Sequence, residues 1–307
     1  MRVATGDPAR WDLPAVPRAV TIGVFDGVHL GHRHVFSLLA ERAAAHDLEA
    51  TVMTFDPHPL TVIAPEVAPR LLTSIDQRIE LFGSVGVRCV AVLPFDQAMR
   101  SISPAGFAGE IVAEALGARL VAVGEDFRFG RNRTGNVESL TEFGAGFGFS
   151  TEIVPLVGGD EPISSTRIRG LIAAGDVVGA AELLDRSHEL RGRVVRGDGR
   201  GASIGIPTAN LDIPAGMAVP ERGVYAVRSG TVGDADLPGV ANIGVRPTFG
   251  GERETLEVHL LEGGRDLYGE ELAVRFVDRI RDERRFSGVE ELVAQIRRDI
   301  EAARALL

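Results

Sequence analysis

Short apolar runs alternate with helical stripes through the first half of the chain. Residues 19–25, 50–55, 88–93, 120–123 and 151–154 are mostly apolar and rich in Val, Ile and Ala. Strands buried on both faces of a parallel sheet read that way. Between them, residues 32–45 carry Val35, Leu38, Leu39 and Ala43 on one stripe, and Thr73 or Ser74 can cap a helix bearing Ile75, Ile79 and Phe82. Ser103-Pro104 places an N-cap before a proline and opens a helix to about Leu116. This alternation predicts an α/β doubly wound domain.

The pattern changes near residue 186. Helical stretches at 168–174 and 177–184 finish the first half. From 188 to about 277 only short strand-like pieces remain (189–195, 223–228, 239–243, 255–261 and 272–276), separated by Gly, Pro and Asp. Such spacing indicates an all-β antiparallel sandwich or small barrel. Ser287-Gly-Val-Glu290 reads as a capping box ahead of Val289, Leu292, Val293, Ile296 and Ile300, so a long amphipathic helix closes the chain. Two domains are expected, 1–186 and 187–307, in keeping with the length of 307 residues.

Composition narrows the functions open to the chain. No 18 apolar residues run together, and the opening residues lack the apolar stretch of a secretory signal. Cys89 is the single cysteine, which excludes a disulfide framework, a thiolate zinc site and an iron–sulfur cluster. A reduced, cytosolic protein away from the membrane is expected. The balance of 43 acids against 33 bases, net −10, argues against a nucleic-acid-binding surface. All 33 bases are arginine. Without lysine there is no Walker-type loop, no Schiff base and no kinase-type strand lysine. Any phosphate must be held by Arg, His, backbone N–H groups or a metal. The sequence leaves a homo-oligomer open.

In the first half, Thr21-Ile-Gly-Val-Phe-Asp-Gly-Val-His-Leu-Gly-His32 is a strand, a glycine-bearing turn and a helix start. His29 and His32 share one helix face, and the helix N-terminus adds partial positive charge. Gly23, Phe25, Asp26, Gly31, His29 and His32 therefore form a candidate polyphosphate site. Two further segments can face such a crevice. Gly124-Glu-Asp-Phe-Arg-Phe-Gly130 follows an apolar strand, and its Asp126 either holds a hydroxyl or sits in a solvated turn. Ile163-Ser-Ser-Thr-Arg-Ile-Arg169 starts a helix with hydroxyls and forked donors, Ser165, Thr166 and Arg167 among them. Arg169 fits a surface arginine better. Asp56-Pro-His-Pro59 ends the second strand, where His58 lines a pocket or shapes a rigid loop.

In the second half, Gly197, Gly199, Gly201 and Gly205 fall within nine residues, and their N–H groups can form an anion-binding nest or a long hairpin turn. Thr208 and Asn210 are hard oxygen ligands two apart, as a divalent cation bridging nucleotide phosphates needs. Thr255, Glu257 and His259 share a strand face. Glu257 is a candidate general base for a hydroxyl, or lies on a solvated face.

These residues resemble a known family across nearly the whole chain. Gly-Val-Phe-Asp-Gly-Val-His29-Leu-Gly-His32, Phe-Asp-Pro-His-Pro, Phe-Arg-Phe-Gly130 and Ile-Ser-Ser-Thr-Arg167 are similar to the adenylyltransferase half of the bacterial bifunctional riboflavin kinase/FAD synthetases. Gly205-Ile-Pro-Thr-Ala-Asn210, Gly-Val-Tyr225, Asn242-Ile-Gly-Val-Arg-Pro-Thr248, Glu257 and Asp266-Leu-Tyr-Gly269 resemble the flavokinase half. The resemblance implies a nucleotidyltransferase-like first domain and a six-stranded barrel. It implies phosphorylation of riboflavin to FMN by ATP with Mg²⁺ or another divalent cation, then adenylylation of FMN to FAD with release of pyrophosphate. Glu257 would be the kinase base, Thr208 and Asn210 the metal ligands, and residues 197–205 the nucleotide loop. His29 and His32 would contact ATP phosphates, while Ser165, Thr166 and Arg167 would hold pyrophosphate. Asp126, Asn242 and Arg285 are the candidate flavin contacts. Some members carry Asn at the position of Asp126, which leaves its contact open.

Overall fold

The computed structural model describes residues 1–155, 157–159, 161–197, 201, 205–233, 236–248, 251–262 and 266–307, with side chains undescribed at 246–248 and 251–253. It divides into two compact units, Met1–Pro69 with Ser74–Ser164, and Arg70–Thr73 with Ser165–Leu307.

The first unit is a six-stranded parallel sheet: β1 (Arg2–Thr5), β2 (Arg18–Ile22), β3 (Glu49–Asp56), β4 (Cys89–Pro94), β5 (Ala118–Gly124) and β6 (Ser150–Val154), in the order β1-β4-β3-β2-β5-β6. The order turns at β2, so ligands are expected beyond its carboxyl end. Every residue of β2 is buried, the polar Arg18 and Thr21 along with Ala19, Val20 and Ile22, as a strand covered on both faces requires. Ala19 packs with Leu39 and Ala43 on one face, while Val20 and Ile22 pack with Val121 and Leu140 on the other.

Helices α1 (Leu30–Ala45), α2 (Pro59–Ile63), α3 (Ile75–Ser84), α4 (Gln97–Ser101), α5 (Pro104–Gly106) and α6 (Val137–Phe147) connect and cover the sheet. Ser74 caps α3 in a reciprocal box with Gln77. Ser103 accepts from Gly106 N at 3.0 Å, as expected, but beyond α5 the helix runs on as a π-helix, Phe107–Ala115.

Helices α7 (Ser165–Ala173) and α8 (Val177–Leu184) belong by contact to the second unit. The contact boundary thus falls at Ser164, while residue 186 lies just before the first antiparallel strand. Leu71 joins the second unit through a bridge to Met217, with Leu71 N donating to Gly216 O at 2.7 Å.

Strands β7 (His188–Val195), β8 (Ala209–Asp212), β9 (Gly223–Thr231), β10 (Leu237–Thr248), β11 (Gly251–Leu260) and β12 (Glu271–Asp282) close into a barrel ordered β10-β11-β8-β7-β12-β9. Of the two β architectures that the pattern allowed, the barrel is the one found. Leu190, Leu211, Val227, Ala241, Leu256, Val258, Val274 and Phe276 fill its interior. Helix α9 (Val289–Leu306) packs its Ile300 and Ala303 with Val224, Ala226 and Val240. The expected box at Ser287 and Glu290 is replaced. Gly288 is the N-cap, and the Ser287 N and Oγ donate to Glu291 Oε2 at 3.1 and 2.8 Å.

Candidate active sites

In the first unit, Gly23-Val-Phe-Asp-Gly-Val28 turns sharply from β2 into α1. Phe25 and Val28 hold positive φ of 52° and 44°, a left-handed conformation that costs a side-chain-bearing residue strain. Val28 N donates back to Phe25 O at 3.1 Å. His29 is the N-cap of α1, its Nδ1 accepting from His32 N at 3.4 Å, and the two imidazoles stack with centroids 3.5 Å apart. His29 is buried and His32 half-buried, with the Phe25 ring edge-on to His32 at 5.2 Å. Asp26, in the same turn, is only 2% exposed. A Cβ on Gly31 would stand 3.2 Å from the His29 ring and 3.5 Å from Ile163 O, so the backbone is free to be approached only because this residue is glycine. Gly23 is likewise crowded, its missing Cβ facing the Phe25 ring at 2.9 Å.

Asp126 is exposed in the loop after β5, with Phe127 and Phe129 stacked at 5.5 Å beside it. His58 is buried and caps α2, its Nδ1 accepting from Leu60 N at 3.1 Å, after a cis Asp56–Pro57 bond. Ser165, Thr166 and Arg167 open α7 within the second unit, Ser165 half-buried and the other two exposed. Arg169 donates from Nε to Arg70 O at 2.7 Å, 99 residues away in sequence.

The second unit carries a cleft of about 410 Å³ on the outer face of the barrel. Strand alternation puts it there. Leu256 and Val258 point into the core, so Thr255, Glu257 and His259 line the opposite face. Register sets Asn242 and Asn210 directly opposite Glu257 on the strands to either side. Three polar side chains thus form one row across β10, β11 and β8, and Thr208 lines the same cleft.

Glycines close on this row. A Cβ at Gly197 would overlap the Asn210 amide; one at Gly201 would overlap Ile206 O and stand 3.2 Å from Thr208 Oγ1. Ile206 N donates to Gly201 O at 2.8 Å. Gly205 takes a φ of +78° with nothing around it, a turn position. Gly199 lies outside the described residues. One nitrogen of His259, Nδ1, is 2.8 Å from Pro207 O. Thr208, Asn210 and Glu257 bring oxygen donors to this wall beside Asn242 and Thr255, a hard set that suits a magnesium-like cation shared with phosphates.

The far wall comes from α9 and the segment before it. Arg284 and Phe286 line the cleft, whereas Arg285 between them is exposed and is not among the lining residues. Arg284 lies over the Phe286 ring at 4.6 Å and Arg281 at 5.8 Å. Asp299 of α9 is 2% exposed and accepts from Arg281 Nε at 3.0 and 3.1 Å, from Nη2 at 2.7 Å, and from Gln295 Nε2 at 2.7 Å. Breaking a buried pair leaves its partner's charge stranded. Asp299→Ala is expected to cost about 3 kcal/mol, read as a lower urea midpoint for the second unit, and to loosen the wall that α9 forms.

Tyr225 belongs to the core. Its hydroxyl donates to Glu221 O, its ring meets Phe276 edge-on at 5.4 Å, and burial pushes its pKa up to about 12. Cys89 is buried in β4, where burial raises the thiol. Trp11 packs on the first core, its indole N–H donating to Gly6 O at 3.1 Å. Asp299 and the buried Arg78 are absent from the residues the motifs single out. Both carry the same signal, a charge on the apolar stripe of an amphipathic helix.

Known proteins match both halves. The family model for FAD synthetase covers residues 15–167 and that for riboflavin kinase covers 184–307. The bifunctional riboflavin kinase/FMN adenylyltransferase of Escherichia coli strain K12 is 40% identical over 286 residues, 93% of this chain and 91% of the relative. Its counterpart from Pseudomonas fluorescens is 41% identical over 288 residues, 93% of this chain and 92% of the relative. A crystal structure from Streptococcus pneumoniae, described as a macrolide-efflux protein, superposes with a TM-score of 0.87 at 32% identity over 99% of both chains. Among the described residues here, no helix is long and apolar enough to cross a membrane. With both domains matched in order and this identity over nearly its full length, the chain belongs to the bifunctional riboflavin kinase/FMN adenylyltransferase family.

Proposed function

We propose that the division of labour follows the two sites, with adenylyl transfer carried by residues 1–186 and riboflavin phosphorylation by 187–307. The chain is a riboflavin kinase and an FMN adenylyltransferase. The observation that carries the kinase assignment is the row Asn242–Glu257–Asn210 on one cleft wall. Glu257 takes the proton of the ribityl 5′-hydroxyl as that oxygen attacks the γ-phosphorus of ATP. The bond to the bridging oxygen then breaks, and ADP leaves. Thr208 and Asn210 hold a divalent cation and the phosphates beside Glu257, while Gly197, Gly201 and Gly205 let the backbone lie close over the nucleotide. When bound, the cation neutralises charge on the phosphate oxygens. Asn242 and the Arg284–Phe286 wall contact the flavin, and Arg285 acts from the rim.

In the first half, a phosphate oxygen of FMN attacks the α-phosphorus of a second ATP, and the bond to the β-phosphate breaks to give FAD and pyrophosphate. Little covalent help is needed; what counts is orientation and charge compensation. His29 and His32 donate to the ATP phosphates, with Gly23, Phe25, Asp26 and Gly31 shaping the turn around them. Ser165, Thr166 and Arg167 hold the leaving pyrophosphate, and Asp126 contacts the flavin side. We assign the enzyme to the cytoplasm, where ATP is made and Cys89 stays reduced.

Chromatography of riboflavin incubated with magnesium and ATP is expected to show FMN and then FAD. EDTA should stop FMN formation, and added magnesium should restore it. Unchanged riboflavin after long incubation would refute the reading, and full activity in EDTA would remove the cation from it.

A further inference from the structure

Beneath the strained turn of the first unit lies a cation with no role so far. Arg78 of α3 is fully buried, on the stripe that also carries Ile75 and Phe82. Its Nη1 donates to Val24 O at 2.8 Å, to Thr54 Oγ1 at 3.2 Å and to Phe55 O at 3.3 Å. Thr54 Oγ1 itself donates to Val24 O at 2.9 Å. Nη2 stands 3.9 Å from Asp56 Oδ1, and neither Nη2 nor Nε has a hydrogen-bond partner among the described residues. One guanidinium thus ties the residues just beyond β2 to the end of β3, at the carboxyl end of the sheet where the strand order turns.

A buried cation so sparsely bonded is a poor way to fill space, since an aliphatic side chain of similar length would avoid the desolvation cost. Its partners explain its presence better than packing does. Val24 immediately precedes Phe25, and left-handed residues such as Phe25 and Val28 persist only where their surroundings over-determine them. Asp26 and Asp56 also favour the charged guanidinium, against the burial that pushes its pKa down.

We propose that Arg78 is a positioning residue for adenylyl transfer. Through the Val24 and Phe55 carbonyls it fixes the turn relative to the Asp56 end of β3, so that His29 and His32 meet the triphosphate already oriented. The proposal rests on the reading that the first half adenylylates FMN at this turn. Loss of orientation lowers the rate of a bound complex more than it weakens binding, so the effect belongs in kcat.

The test uses the full chain, wild type beside Arg78→Met, which keeps bulk alone, and Arg78→Lys, which keeps the charge and one donor. FMN-to-FAD conversion is followed with ATP varied, and riboflavin phosphorylation is measured on the same preparations. Arg78→Met is expected to lower kcat for FAD formation by roughly ten- to a hundredfold, with the KM for ATP within about threefold and kinase activity unchanged. Arg78→Lys is expected to recover part of that loss. Wild-type kcat in Arg78→Met, or a loss confined to KM, overturns the proposal. If Arg78→Met does not fold, Arg78→Lys decides. A folded Arg78→Lys with kcat reduced about threefold or more supports the clamp, whereas a wild-type kcat or a second failure to fold overturns it. A wild type that makes no FAD would instead refute the underlying assignment.

Discussion

Glu257→Gln is expected to abolish conversion of riboflavin to FMN while the same molecules still turn supplied FMN into FAD. The substitution keeps size and hydrogen bonding but removes the group that can accept a proton. Loss of a positioned general base costs about 10²–10⁴-fold. Glu257 lies on the outer face of β11, so a polar isostere leaves the packing of Leu256 and Val258 inside the barrel untouched. Separate chromatographic assays of the two steps read the result. Retained FMN formation would remove Glu257 from the chemistry, and loss of both steps in a folded protein would refute separate sites.

The complementary variant, His29→Ala with His32→Ala, should do the reverse, sparing FMN formation and stopping FAD formation. Removing one donor aimed at developing charge costs about 10²–10³-fold, and here two are removed. The structural penalty is smaller. His29 Nδ1 caps α1 through His32 N, and a lost cap costs about 1 kcal/mol. Pyrophosphate release from FMN and ATP is the readout, with circular dichroism to check folding. Undiminished release would assign the imidazoles to packing.

Much of this architecture is written in local periodicity. The apolar residues of β2 predict a strand buried on both faces, and of Thr73 and Ser74, the two caps the sequence allows, Ser74 starts α3. Closure of the barrel is not local. It depends on which strands pair, and β8 lies between β11 and β7 through a four-residue segment, Ala-Asn-Leu-Asp, that carries little strand signal. Edge strand β1 is equally faint, four residues of which only Ala4 is buried. The closing helix starts one residue later than the Ser287 box implies, with Gly288 as N-cap, and Glu291 rather than Glu290 reaches back to Ser287.

The candidate residues of the motifs come together in part. His29 and His32 stack, and Thr208, Asn210, Asn242 and Glu257 share one wall. Arg285 is exposed while its neighbours Arg284 and Phe286 line the cleft, a distinction that the backbone makes and spacing within a loop does not. Arg78 and Asp299 escape motif reasoning because motifs collect residues that touch substrates. Their tell was a misplaced charge, visible to anyone asking what it would be paired with.

The polar row on the barrel carries a consequence for how such a chain can change. Side chains in a strand alternate between two faces, so sliding a strand by one position exchanges inside for outside. Inserting a single residue in β11 just ahead of Glu257 would swing its carboxylate into the greasy interior and send Leu256 or Val258 out to water. Two inserted residues would restore the facing but park the carboxylate opposite different neighbours. The facing of Glu257 and closure of the cylinder therefore stand or fall on the same hydrogen-bond ladder, and length variation in this half is expected at the hairpin tips and nowhere along these three strands.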